Sequence, residues 1–202
     1  NEDLTDSIIK NINEKTSVVA VSSIQFSTGT KVDIKRLHKS TSFFGAKLLV
    51  DATQALGAMP VNVESWGADI TVSSGYKWLG GHGGVGLAVL STQLSNQVPH
   101  AIGWMGALDP FNMESTQLIF AKGAQSYTLS TMSYLSINCL TVSLKEIIKL
   151  DPKRINEHSQ SLARLLIDGL QDSNWMPFNN VNKKSFSSHI ISLENKKIDV
   201  VT

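Results

Sequence analysis

A single cysteine, Cys139, stands in 202 residues, so no internal disulfide can form and a reducing, cytoplasmic setting is expected. Long apolar runs are also missing. Ser, Thr or Gly interrupts each stretch before it reaches the length that spans a bilayer, so no membrane association is expected. Nor does one sign of charge dominate. The 18 basic and 17 acidic residues leave a net charge of +1, too little to give a field for nucleic acid or an anionic surface. The densest basic pair, Lys183-Lys184, is too short to act as a tail. No group of His, Cys, Asp and Glu has metal-ligand spacing, and there is neither a repeat nor a low-complexity segment. No secretory leader pattern is visible at the start, which is Asn1 rather than Met. What is present, 42% hydrophobic and 17% charged residues, is the composition of an ordinary globular chain. The length suits one sizeable domain, or a domain and part of another.

The first half alternates helical and strand patterns. Ile8, Ile9 and Ile12 follow polar Asp6-Ser7 at helical spacing, and Val18 to Val21 then reads as a short strand. Asp33 to Phe44 predicts a helix that Gly45 terminates. Strands are predicted at Lys47 to Val50, ending at Asp51, at Ile70 to Ser73 and at Gly86 to Leu90. Continuous apolar strands imply burial on both faces, and hence a largely parallel sheet between helices. The fold class is α/β, with a three-layer α/β/α large domain. Residues 99 to 128 hold Pro99 and Pro110 and little periodicity, which marks a long excursion of a kind often functional or in contact with a partner. A helix is expected from Thr131 to Leu150, with Leu135, Leu140, Leu144, Ile147 and Ile148 as its apolar side. Asp151-Pro152 breaks it and begins another helix, Lys153 to Leu170. Ser185 to Leu193 reads as a strand. Residues 1–150 are thus assigned to the large domain, and residues 151–202 to the start of a smaller α+β domain.

Open α/β sheets bind ligands beyond the carboxyl ends of their strands. Two segments reach such ends: Val50 to Ala55, containing Asp51, and the loop from Ser74 to Gly84, containing Lys77. Taken alone, Lys77 reads as a solvated loop lysine and Asp51 as a helix cap. Taken together they supply an amine and an acid at one sheet edge. Pyridoxal phosphate (PLP) chemistry requires such a pair, a lysine to form the Schiff base and an acid to keep the pyridine nitrogen protonated.

The strings VDATQALGAMPVNV and SSGYKWLGGHGGVGLAVL resemble the class V aminotransferases, fold-type I PLP enzymes that include cysteine desulfurases, kynureninases and isopenicillin-epimerase-like proteins. The resemblance rests on a D-x-x-Q element, an S-x-x-K element at matching distance, and the glycine-rich strand entry after the lysine. It covers roughly Val18 to Leu170. It implies that Asp51 pairs with the pyridine nitrogen, that Gln54 bonds the ring's phenolic oxygen, and that Thr53 lies against the ring face. It further implies that Ser74 and Tyr76 hold the phosphate, and that Lys77 carries the cofactor and moves protons at the substrate α-carbon. The substrate would be an amino acid or amine, and the assembly a homodimer with its site at the subunit interface.

Several positions depart from that pattern. Relatives run about twice this length, with an upstream phosphate loop and ring-stacking residue and a C-terminal arginine for the substrate carboxylate. Where relatives carry an Arg-Phe-Glu-x-Gly-Thr-like segment, this chain reads Ile119 to Ala124, which leaves Ser126 as the substitute hydroxyl. Phe26 stands where cysteine desulfurases have asparagine, which counts against that lyase activity as the alternative function. A second alternative is a truncated or non-catalytic member that keeps the fold for association. Cys139 reads as a small buried hydrophobe within its helix rather than a nucleophile. Trp66 and Trp78 read as packing residues, His82 as loop surface, and His38 as solvated among Lys35, Arg36 and Lys39.

Overall fold

The computed structural model describes residues 3–112, 116–117, 119–178 and 185–198. Four strands, β1 (Val18–Ser22), β2 (Lys47–Asp51), β3 (Ile70–Ser74) and β4 (Gly86–Leu90), form one sheet in that order. β1, β2 and β3 run parallel, and β4 returns antiparallel to β3. This is the mostly parallel α/β sheet that the apolar strand pattern implied. Lys183-Lys184 lies outside the described residues.

Helices α1 (Leu4–Ile9) and α2 (Ile34–Phe43) cover one face. Side chains alternate across a strand, so Leu48 and Val50 of β2 point to the same side, where both are fully buried with Ile12, Val32, Ile34 and Leu37. α2 begins where the Asp33 carboxylate accepts the Arg36 amide at 3.1 Å, and Gly45 follows it at φ +72°, a left-handed turn that suits glycine. The opposite face is less covered than the pattern implied. Val18 and Ala20 of β1 are exposed, because no described residue packs over them.

Short helix α3 (Thr92–Ser95) leads into the excursion, whose described residues are mostly irregular with 3-10 turns at Trp104–Gly106 and Gly123–Tyr127. α4 spans Tyr134–Leu150 rather than starting at Thr131, because Ser133 caps it and its side chain accepts the Ser136 amide. Asp151 turns the chain at φ +68° and caps α5 (Pro152–Gly169) by accepting the Lys153 amide at 2.9 Å. Among the described residues, no helix is long and apolar enough to cross a membrane.

The segment Ser185 to Leu193 is not a strand. Its main-chain groups are spent on the loop before α2: Ser187 N donates to Gly29 O at 2.8 Å, and Lys31 N to Ser185 O at 2.7 Å. Strand pairing begins only at Leu193, where β6 (Leu193–Asn195) meets β5 (Trp175–Pro177).

Replacement of Leu48, fully buried between sheet and helices, by Ala should lower unfolding free energy by about 2–5 kcal/mol. Chemical denaturation checks it. A loss under ~1 kcal/mol would mean that this face is not the core.

Candidate functional site

β2 and β3 are adjacent and parallel, so their carboxyl ends open onto one edge. Asp51 closes β2 and lies in register with Val72, two residues before the end of β3. The chain after Asp51 turns sharply: the Asp51 Oδ1 accepts the Thr53 amide at 2.8 Å, and Ala55 N donates to Ala52 O at 2.9 Å. One carboxylate oxygen therefore closes this turn; no helix follows Asp51 directly, so it is a turn cap rather than a helix cap. Among the described residues nothing donates to Oδ2, so half of the carboxylate stays available.

The two loops are tied together. Ser74 N donates to Thr53 Oγ1 at 3.0 Å, and Ala52 N to Val72 O at 2.7 Å. The family resemblance implied that Thr53 lies against a ligand ring; in the structure its hydroxyl accepts the Ser74 amide. The Ser74 hydroxyl lies 3.5 Å from the same oxygen, at the limit of a hydrogen bond, and so is free to serve another acceptor.

Lys77 lies on a compact turn. Gly75 N donates to Val85 O, Gly80 N to Lys77 O and Gly81 N to Gly75 O, all within 2.8–2.9 Å. The Lys77 ammonium is exposed and sits 5.4 Å from the Tyr76 ring centre, a cation–π distance. Tyr76 is exposed as well.

α4 holds this turn with a stripe that shares Leu140 with the apolar side read in the sequence and adds two serines to it. Ser136 donates to Gly83 O at 3.2 Å, Ser143 donates to Gly80 O at 2.8 Å, and Leu140 between them packs on Gly75 and Gly81. Leu135 and Ile148 are instead exposed. The glycine-rich loop presents carbonyls that need donors, and serines at helical spacing supply them. That spacing, Ser136–Leu140–Ser143 inside an otherwise apolar helix, was the available signal.

Gln54 is the other gain from the structure. Trp78 Nε1 donates to the Gln54 Oε1 at 2.8 Å. An indole N–H only donates, so the amide oxygen must face Trp78 and the Gln54 NH2 group is left to serve an acceptor elsewhere. Trp78 is thus more than packing. His189, absent from the sequence-derived site, donates from Nε2 to the Gln54 main-chain oxygen at 2.6 Å and meets Trp78 edge-on with ring centres 4.9 Å apart. Burial lowers the His189 pKa and the nearby Lys31 charge lowers it further, against an opposing effect of the Gln54 carbonyl. Its imidazole is accordingly neutral at pH 7.

Other sequence-flagged residues fall outside the edge. Cys139 lies half-buried within α4. Ser126 is buried with its hydroxyl spent on Gly123 O at 2.8 Å, so it offers no free donor to a ligand. His82 is exposed and bonded to Gly83 O, as expected of loop surface. His38 is not solvated but half-buried, its ring filling the space that Gly67 leaves by lacking a Cβ. Trp66 packs against the core. No group of His, Cys, Asp and Glu among the described residues is arranged to hold a metal. The two loops beyond this edge carry an amine, a half-free carboxylate, an amide donor and hydroxyls.

The pattern of the family Aminotransferase class-V matches residues 2–201. Kynureninase from Deinococcus radiodurans is 27% identical over 164 residues, which cover 80% of this chain and 40% of that protein. Kynureninase from Yarrowia lipolytica is 31% identical over 179 residues, 82% of this chain and 39% of the relative. The fold is that of the cysteine desulfurase CsdA from Escherichia coli, with a TM-score of 0.81 at 19% identity over 98% of this chain and 49% of that one. It is also that of C-DES, solved as a mutant with glycine covalently linked to its PLP cofactor, with a TM-score of 0.81 at 17% identity over 96% of this chain and 51% of that one. The chain therefore spans about 40% of the length of these curated relatives and about half of these solved chains.

Gly57 adopts φ +91°, and a Cβ there would lie 2.3 Å from the Trp78 carbonyl. Gly57→Ala should therefore displace the Lys77 turn and destabilise the fold by about 1–3 kcal/mol. Urea denaturation measures it, and an unchanged midpoint would mean that the two loops are not in contact at this point.

Proposed function

Since this chain belongs to the class-V aminotransferase family, we propose that its β2–β3 edge binds pyridoxal 5'-phosphate and acts on an amino acid or amine, with Lys77 as the covalent attachment point. The observation that carries this reading is the Thr53–Ser74 tie, which holds the Asp51–Gln54 turn and the Lys77 turn at one edge. The donor set fits the group. Asp51 keeps one oxygen for a protonated ring nitrogen, Gln54 turns its NH2 away from Trp78 and is free to donate to a phenolic oxygen, and the Ser74 and Tyr76 hydroxyls are donors suited to a phosphate. Thr53 would border the ring face while its hydroxyl keeps the two loops in place. When bound, the cofactor supplies an electron sink for negative charge at the substrate α-carbon.

The protein's part is positioning and proton handling. A carboxylate beside a ring nitrogen favours its protonated form, because opposite charges a few ångströms apart stabilise each other. A lysine amine, once it is no longer bonded to the cofactor, has a lone pair that takes a proton from the α-carbon and returns it. Transamination, elimination and epimerisation all use that transfer and diverge only after it.

Fold-type I sites of the resembled family lie between two subunits, and a homodimer is part of this proposal. The excursion supports it, with Val98, Leu108 and Phe111 exposed on one irregular stretch. Light scattering should give twice the mass of one chain, and a monomer that nevertheless turns over substrate would contradict a shared site. The division of the chain at Asp151-Pro152 into a large domain and the start of a smaller one belongs to the same reading, as does a cytoplasmic location, which the lone Cys139 supports.

The test of function uses the PLP-supplemented protein at the length of its relatives. Lys77→Ala should retain the cofactor non-covalently and lose nearly all turnover, because the attachment point and the proton carrier disappear together. Asp51→Asn should keep the fold and lower kcat on the order of 10²–10³-fold, the equivalent of about 3–4 kcal/mol for loss of a charged partner. Unchanged turnover in Asp51→Asn would leave Asp51 as a turn cap alone.

A further inference from the structure

The segment after α5 reaches back across the molecule to the candidate site. Lys31 N donates to Ser185 O, Ser187 N donates to Gly29 O, and Thr30 pairs with Phe186. Gly29 makes the approach possible: at φ +72° it lies so near that a Cβ would come within 2.2 Å of the Ile190 carbonyl. These bonds deliver His189 onto Gln54 from a distance of 135 residues in sequence.

Gln54 is consequently gripped twice. His189 Nε2–H takes its main-chain oxygen at 2.6 Å, and Trp78 Nε1–H takes its side-chain oxygen at 2.8 Å. The two gripping rings brace each other edge to face, with planes 79° apart. A glutamine held at both oxygens keeps one orientation of its NH2 group.

We propose that His189 is a positioning residue that acts through Trp78 and Gln54, fixing the amide donor that Gln54 presents to the cofactor's phenolic oxygen. This rests on the PLP reading of Gln54. His189 itself does not touch the reacting atoms. The Nε2–H tautomer is set by the carbonyl that Nε2 faces, because a carbonyl only accepts. Nδ1 is then the bare nitrogen, and among the described residues it is buried without a partner. Protonation there would place a charge beside Lys31 in a half-buried site, which agrees with the lowered His189 pKa. Removal of the imidazole frees the Gln54 main chain and removes the brace from Trp78, so the NH2 group loses its fixed direction. A phenolic oxygen that loses a donor holds more negative charge, and it then retains the neighbouring Schiff-base proton to higher pH.

Two measurements separate the clamp from the cofactor reading. In the apo-protein with ¹⁵N-labelled tryptophan, the Trp78 indole N–H resonance, assigned by its loss in Trp78→Phe, should move in His189→Leu. It should stay near its wild-type position in His189→Gln, which keeps an N–H donor of similar reach. In the PLP-loaded protein the pH midpoint of the visible absorbance band should rise by about one unit in His189→Leu and return to within a few tenths in His189→Gln. If His189→Leu does not fold, Trp78→Phe removes the other grip and should give the same rise. An indole resonance unmoved in His189→Leu, or a midpoint equal to wild type in a folded variant, overturns the proposal. A wild-type protein with no visible band overturns the PLP reading, and with it the role toward the cofactor, while the indole measurement still decides whether the clamp exists.

Discussion

The hydrogen bond from the Ser74 amide to the Thr53 hydroxyl is the constraint on which the site depends. Parallel pairing of β2 and β3 brings their ends to one edge, but strand pairing alone leaves the loops beyond them free to diverge. A threonine two residues beyond Asp51 closes that gap. Its hydroxyl satisfies the last amide of β3, a donor that would otherwise lack a partner at the strand end. The loop that carries Asp51 and the loop that carries Lys77 are thereby joined where they leave the sheet. A site assembled on strand ends inherits the stiffness of the sheet beneath, here the fully buried Leu48 and Val50.

Around that tie the fold adds support from two distant parts of the chain. α4 contributes Ser136, Leu140 and Ser143, which hold the carbonyls and glycines of the Lys77 turn. The segment after α5 contributes His189, which grips Gln54 from behind. The glycines make both approaches possible: Gly75 and Gly81 admit Leu140, and Gly29 admits the Ile190 carbonyl. A chain that spans about 40% of its curated relatives thus carries the lysine-bearing and carboxylate-bearing loops of the candidate site together with their supports.

Much of this was legible in the sequence because it is local. Apolar strands followed by loops gave β1 to β4, Asp33 and Gly45 marked the two ends of α2, and Asp51 and Lys77 were recognisable as residues at strand ends. What was not legible depends on contacts between distant segments. Ser185 to Leu193 has the composition of a strand, yet its main chain is drawn to Gly29 and Lys31, which no local pattern announces. Of the apolar side read for α4, Leu140 is buried and Leu144 and Ile147 are half-buried, but Leu135 and Ile148 are exposed, because loop carbonyls needed donors and turned Ser136 and Ser143 inward beside Leu140. His189 carried no local signal at all. Its significance appears only when its ring meets a carbonyl 135 residues away.

The central claim is that this edge is a covalent PLP site with Lys77 as its attachment point. It is tested most directly by adding PLP, reducing with borohydride, digesting the protein and mapping the modified lysine by mass spectrometry. The account predicts that the pyridoxyl group is found on the Lys77 peptide at close to one per chain, while other exposed lysines such as Lys35 and Lys145 carry little. Modification spread evenly over surface lysines, or concentrated at another position, would contradict it.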